Sequence, residues 1–191
     1  VKFLREFAIV ALTLSAGGCS TFTHENNDQP VQEDAGRRSL GSVIDDQSIE
    51  LTASTNINRA DPALDDANVV VVSYNGNALL VGQAPTEELR VRAAEIAAKV
   101  KSVKSVRNEL TVGPNASFAA HSADTLITTK VKSKLLTAAN IKDSRVKVIT
   151  ENGAVFLMGL VTRSEADIAA KAAQDTGGVQ KVVLLFEYVE G

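Results

Sequence analysis

The sequence predicts an α+β chain of two tandem α-β-β-α-β domains, each a three-stranded mixed sheet with two helices on one face. Three observations carry that prediction. The segment Val71-Val72-Ser73-Tyr74-Asn75-Gly76-Asn77-Ala78-Leu79-Leu80-Val81-Gly82 returns 77 positions later as Val148-Ile149-Thr150-Glu151-Asn152-Gly153-Ala154-Val155-Phe156-Leu157-Met158-Gly159. A period of that length, present only twice, marks two copies of a small domain rather than a solenoid. Each copy centres on Asn-Gly between aliphatic runs, the strongest short hairpin signal, and continues into an Ala-rich amphipathic stretch and a Val-x-x-Val strand signal.

Ahead of the first copy, Lys2 and Arg5 precede the apolar stretch Phe7 to Leu14 and the small residues Ser15-Ala16-Gly17-Gly18. A basic start, a short apolar core and a small-residue exit is the layout of a secretory signal over residues 1–18. The apolar run falls short of the roughly 20 residues a membrane span needs. The chain's single cysteine, Cys19, stands at the exit, where a bacterial lipoprotein carries the cysteine that is diacylated. The match to a lipobox is imperfect, because Ala16 occupies the place usually held by Leu. The alternative is a plain secretory peptide whose Cys happens to lie near the cleavage point. Acylation, at about 0.8 kcal/mol per buried CH₂, would anchor the protein durably. By the lipoprotein sorting rule of enteric bacteria, Ser20 rather than Asp after the Cys favours the outer membrane. Residues 19–43 are mostly polar and read as a flexible tether.

The first copy spans residues 44–113. Asp45 or Asp46 can cap a helix in which Ile49, Ala53 and Ile57 recur at four-residue spacing, and Asp61-Pro62 ends it. Val69 to Ser73 and Ala78 to Gly82 are the hairpin strands. Pro85-Thr86-Glu87-Glu88 opens a second helix with Leu89, Ala93, Ile96, Ala97 and Val100 as its apolar stripe. Val103 to Val112 supplies the last strand. A linker, residues 114–122, leads to the second copy, residues 123–191. There a helix from about Asp124 to Thr137 carries Ile127, Val131 and Leu135, with Ser122-Ala123-Asp124 as its cap. Strands follow at residues 146–150 and 155–161, then a helix from Arg163 to about Asp175 and a strand from Val182 to Val189. The crossover through the second helix makes the third strand parallel to the second. The expected order places the first strand in the middle. Gly82 and Gly159 sit late in the second strand, where glycine marks a bulge or the close approach of another backbone.

Composition narrows the function. A net charge of -3 with 23 % charged residues gives no general polyanion-binding character, so nucleic acid is not an expected partner. Aromatics make up 4 % and Trp is absent, which leaves no stacking platform for bases. The two histidines, His24 and His121, fall in expected linkers, and no Cys remains after acylation, so catalytic residues are not expected. The acidic group Asp61, Asp65 and Asp66 lacks the Gly and terminal Glu of an EF-hand loop, so no metal or other cofactor is expected.

The pattern Asn-Gly, an aliphatic strand ending in Gly, an Ala-rich helix and Gly-Val-x-x-Val resembles the BON domain. An acylated signal followed by two such domains is similar to the dual BON-domain outer-membrane lipoproteins. The likeness is strongest at Asp124-Thr-Leu-Ile-Thr-Thr-Lys-Val131 and at Val148 to Thr162. It implies a lipoprotein facing the periplasm that binds anionic phospholipid (phosphatidylglycerol or cardiolipin), supports envelope integrity and associates with division sites.

Differences between the copies indicate where such binding would lie. With Ile127, Val131 and Leu135 as the buried centre, Leu126 points about 140° away at 100° per residue, beside Thr129, Ser133 and Thr137. Lys130 and Lys132 flank this face and Lys134 lies closer to the core. From Asp124 to Ile149 the basic residues Lys130, Lys132, Lys134, Lys142, Arg145 and Lys147 face only two acids, Asp124 and Asp143. An exposed Leu with hydroxyls and lysines is a membrane-surface pattern. A solvated lysine face with one incidental Leu is the alternative. The resemblance places the lipid site on this helix, at Leu126, Thr129, Lys130 and Ser133, with Lys132 and Lys134 adding charge. It also leads one to expect an aromatic in the place of Leu126, where leucine keeps the apolar insertion but loses the preference of Trp for the headgroup level. The first helix of copy one carries Glu50 and no Lys, and nothing comparable is expected there. A second functional reading remains: a protein–protein adaptor regulating an envelope machine, with lipid contact incidental.

Overall fold

Ser39, not an aspartate, opens the first helix. The computed structural model of the chain describes residues 36–138 and 145–190. The secretory signal, Cys19, most of the tether, Lys142 and Asp143 lie outside the described residues. Helix α1 runs Leu40–Ala60, and the Ser39 hydroxyl accepts from the Ser42 N–H at 3.0 Å. Asp61 then caps the single turn α2, Pro62–Asp65, with proline at its first position. Strands β1 (Val69–Tyr74) and β2 (Asn77–Ala84) form the hairpin. Both turn residues, Asn75 and Gly76, have positive φ, as the tight turn that matches strand twist requires. Helix α3 (Glu87–Ala98) is capped by Thr86 and leads to β3 (Ser105–Asn108) and β4 (Thr111–Val112). The second copy gives α4 (Phe118–Thr137), β5 (Val146–Glu151), β6 (Ala154–Val161), α5 (Arg163–Gln174) and β7 (Lys181–Tyr188). Thr162 and Glu165 close a reciprocal capping box on α5.

Two sequence expectations are corrected. Both first helices start earlier than the aspartates imply, at Leu40 and Phe118. Residues 40–43 are therefore helix rather than tether, and residues 118–122, His121 among them, are helix rather than linker. The reason is that Asp46 and Asp124 cap something else. Asp46 is buried within α1 and accepts from the N–H groups of Asn75 and Gly76, each at 2.8 Å. Asp124 does the same for Asn152 (2.7 Å) and Gly153 (2.8 Å). Each carboxylate ties its helix to the hairpin turn, satisfying N–H groups that no strand partner reaches.

The second correction concerns strand order. The sheets run β1-β2-β3 and β5-β6-β7, so the second strand of each copy is central, antiparallel to the first and parallel to the third. β4 continues the parallel pairing with β2 after a short interruption. The centre goes to the strand that is apolar on both faces. In β2, Leu80 and Ala84 pack toward α1 and α3, whereas Leu79 and Val81 pack the opposite way. Such a strand has no solvent face to offer an edge.

That double burial produces the architecture. One core joins α1 and α3 to the first sheet, a second joins α4 and α5 to the other sheet, and a third lies between the sheets. The third combines Val72, Tyr74, Leu79 and Val81 with Phe156 and Met158. The two copies are thus packed sheet to sheet with helices outside. Polar groups close the rim: Lys147 meets Glu50 at 2.7 Å, Gln83 donates to Glu151 at 2.7 Å, and the Tyr74 hydroxyl donates to the Arg145 carbonyl at 3.0 Å. The repeated glycines answer a backbone demand. A Cβ on Gly82 would lie 1.8 Å from the Asn68 carbonyl oxygen, and one on Gly159 would lie 2.3 Å from that of Arg145.

Candidate functional site

Helix α4 turns Ile127, Val131 and Leu135 into the core. Leu126, at 61 % exposure, stands nearly opposite. Because the helix begins at Phe118, the outward face is longer than the sequence suggests. At 100° per residue, Phe118, Ser122, Leu126, Thr129, Ser133 and Leu136 fall within about 80° of one another, opposite the buried stripe. Phe118 is 86 % exposed and Leu136 62 %. Three large apolar side chains therefore line one ridge, with small hydroxyl residues between them. At Leu126 itself the residue is leucine and not the aromatic the resemblance leads one to expect; the ridge carries an aromatic elsewhere, Phe118, about two turns earlier.

Three hydroxyls along this side spend their protons within the helix. Ser122 donates to the Phe118 carbonyl, Thr125 to His121 and Thr129 to Thr125, each at 2.9 Å. This back-bonding within the helix lowers the cost of moving that face into a less polar medium. Lys130 and Lys132 are exposed and leave the helix on either side of the ridge, about 80° from its centre. Lys134 departs from its expected companions. It is half-buried, and its ammonium donates to the Asp175 carbonyl at 2.5 Å, a favourable position at the C-terminus of α5. Arg145 and Lys147 are paired with Glu165 and Glu50. The structure thus brings Leu126, Thr129, Lys130, Lys132 and Ser133 onto one outward surface and turns Lys134 away from it.

Beside the first half of α4 lies an open cleft of about 560 Å³, bounded by Leu126, Lys130 and the Gly177-Gly178 turn. Nothing would meet a Cβ at Gly177 within 4 Å. The corresponding turn of copy one holds Lys101-Ser102.

Phe118 and Leu136 escape the sequence reading, and so do their counterparts on α1. Leu40, Ile44 and Leu51 of α1 are also exposed and share one face by the same 100° arithmetic. Copy one therefore does carry an apolar ridge, contrary to expectation, but lysines are absent from it. The signal for both ridges was the serine cap one residue before each helix, Ser39 and Ser117. Among the described residues, no three His, Cys, Asp or Glu side chains gather to hold a metal, and no helix is long and apolar enough to cross a membrane.

Comparison with known proteins fits this arrangement. The family model for the BON domain matches residues 45–114 and again residues 123–190. The outer membrane lipoprotein DolP of Haemophilus influenzae is 42 % identical over 153 residues, covering 80 % of this chain and 79 % of that protein. The 21 kDa hemolysin of Actinobacillus pleuropneumoniae is 38 % identical, covering 87 % and 84 %. The osmotically-inducible protein Y of Escherichia coli is 30 % identical, covering 95 % and 94 %. With both repeats matched, and with relatives aligned along most of their own length, the chain belongs to the BON domain family and carries that domain twice.

Proposed function

We propose that this chain is a non-enzymatic outer-membrane lipoprotein, anchored through acylated Cys19 and facing the periplasm, that binds anionic phospholipid through α4. The observation that carries the proposal is the α4 ridge. Three exposed apolar side chains project from a helix on which the intervening Ser122 and Thr129 hydroxyls are bonded to its own backbone, with a lysine on each flank. An apolar side chain gains about 1.5–3 kcal/mol on full burial. A lysine near an anionic bilayer adds about 1 kcal/mol. The ridge supplies attachment and the lysines supply preference for phosphatidylglycerol or cardiolipin. Either part alone is a weak hold, and the acyl anchor keeps the surface at high local concentration beside the bilayer. The similarity to DolP, an outer membrane lipoprotein, supports the location. A role in envelope integrity and at division sites follows from the family resemblance. The domains, expected at residues 44–113 and 123–191, are here extended to take in the whole of α1 and α4, from Leu40 and Phe118.

Co-sedimentation of residues 20–191 with vesicles tests this. Binding is expected with phosphatidylglycerol or cardiolipin and not with phosphatidylcholine alone. It should be lost in Leu126→Asp and Phe118→Asp, and weakened by Lys130→Glu. Retention of full binding in all three variants would reject the ridge. Release of Cys19→Ser from the membrane fraction is expected, and undiminished retention would reject the anchor. The lysine-free ridge of α1 favours the adaptor reading for copy one: Leu40, Ile44 and Leu51 offer an apolar surface without preference for anionic lipid.

A further inference from the structure

The two domains enclose a groove of about 420 Å³ at their junction, lined by Arg38, Tyr74, Lys132, Leu136, Val146 and Lys147 among others. We propose that this groove is a second site, adjoining the α4 ridge, which takes the phosphodiester headgroup of an anionic phospholipid. The proposal rests on the α4 reading for its membrane context, because Lys132 and Leu136 belong to both the groove and the outer surface of α4. The groove therefore opens where the ridge ends.

Its cations come from three different elements. Arg38 precedes α1, and its guanidinium stacks on the Tyr74 ring at 3.9 Å while one nitrogen meets Asp46 at 2.6 Å. A guanidinium has five donors in a planar fork, so the stack and the single carboxylate bond leave donors to spare and fix their direction. Lys147, on β5, donates to Glu50 at 2.7 Å and to the Ser73 carbonyl at 3.3 Å, which uses two of its three protons. Lys132, on α4, is exposed and makes no ion pair among the described residues. Three cations against the carboxylates of Asp46 and Glu50 leave one uncompensated positive charge. That balance suits a phosphodiester with a single negative charge better than a phosphate monoester, whose charge at neutral pH is nearer two. Leu136 and Val146 supply an apolar wall, the surface expected beside a headgroup that continues into acyl chains and not beside a free anion.

The test uses Tyr74 as its own reporter. The chain has two tyrosines and no tryptophan, so in a Tyr188→Phe background of residues 20–191 all tyrosine emission comes from the groove. Dihexanoyl phosphatidylglycerol, added below its micelle concentration, is expected to give a saturable change in emission and to move the amide resonances of Leu136, Val146 and Lys147. Dihexanoyl phosphatidylcholine should bind at least about fivefold more weakly, and Lys132→Gln should weaken phosphatidylglycerol binding about fivefold, the worth of one lysine beside an anionic headgroup. Lys132 is exposed, so this variant is expected to fold. Leu126→Asp should abolish sedimentation with vesicles yet leave the short-chain titration unchanged, which separates failure of the ridge from failure of the groove. No change at Tyr74, equal binding of phosphatidylcholine, or indifference to Lys132→Gln would overturn the proposal. An equal response to inorganic phosphate alone would overturn it too, by reducing the groove to a simple anion site.

Discussion

Removing the Asp46 carboxylate should be among the most damaging single changes outside the apolar cores. The side chain accepts from the Gly76 and Asn75 N–H groups at 2.8 Å, from the Ser73 hydroxyl at 2.7 Å and from Arg38 at 2.6 Å. In Asp46→Ala the two turn N–H groups keep their positive-φ geometry but lose their acceptor. An unsatisfied buried donor costs about 1–3 kcal/mol, so the pair sets the loss at about 2–6 kcal/mol. Arg38 adds less, because it is partly exposed and keeps its stack on Tyr74. A domain of this size has about 5–15 kcal/mol in total, so the variant should fold but melt far earlier. Asp46→Asn retains one acceptor and should lose about half as much. The pH dependence supplies an independent check. Burial pushes the carboxyl up, but the bonds from Gly76, Ser73, Asn75 and Arg38 outweigh it and leave it below its ordinary 3.8. A carboxylate depressed on folding contributes stability above its unfolded value, and that contribution disappears as pH falls through the folded value. Part of the acid destabilisation below about pH 4 should therefore be missing in Asp46→Asn. Urea unfolding followed by circular dichroism between pH 2 and 7 measures both effects. A loss under about 0.5 kcal/mol for Asp46→Ala at pH 7, the range of an ordinary surface change, would refute the turn-clamp reasoning.

Other outcomes follow from the same structure. Gly82→Ala should cost at least about 3 kcal/mol or prevent folding, since the new Cβ meets a backbone carbonyl at 1.8 Å and φ is +111°; thermal melting of the purified variant checks it. Phe156→Ala, in the core between the sheets, should cost about 3–5 kcal/mol and split one cooperative unfolding transition into two in calorimetry. Lys147→Ala breaks the pair with Glu50 across the junction, but both side chains are about a third exposed, so a loss below about 1 kcal/mol is expected in urea titration.

How much of this was legible in the sequence depends on whether the signal was local. The hairpins were, because Asn-Gly between aliphatic runs admits one tight turn. The core residues of α4 were, because Ile127, Val131 and Leu135 obey a helical period. Strand order was not: nothing local distinguishes β1 from β2 as the centre until Leu79 and Val81 find the other sheet across the junction. The helix starts failed for a different reason. Asp46 and Asp124 have the chemistry of a cap, and they do cap N–H groups, but those of the hairpin turn about 30 residues on rather than those of their own helix. That long-range use concealed the preceding turn of each helix and, with it, Phe118, Leu40 and Ile44.

The recovered turns alter what the duplication says about function. Judged from the sequence, copy two differs from copy one by having an exposed leucine and lysines at all. In the structure both first helices present three exposed apolar side chains on the outward face, Leu40, Ile44 and Leu51 on α1 against the more widely spaced Phe118, Leu126 and Leu136 on α4. The apolar attraction is therefore similar for the two, and the difference reduces to charge. Lys130 and Lys132 flank one ridge, whereas Thr52 and Ser54 occupy the matching positions on the other. Two lysines contribute about 2 kcal/mol beside an anionic surface, roughly a thirtyfold preference, and almost nothing beside a neutral one. Placing Lys at both Thr52 and Ser54 should therefore convert α1 into a second anionic-lipid surface. In a Leu126→Asp background, which disables α4, the double variant should regain sedimentation with phosphatidylglycerol vesicles and not with phosphatidylcholine. If it does not, the lysines are not what sets the two ridges apart, and the shape of the cleft beside Gly177-Gly178 becomes the feature that distinguishes copy two.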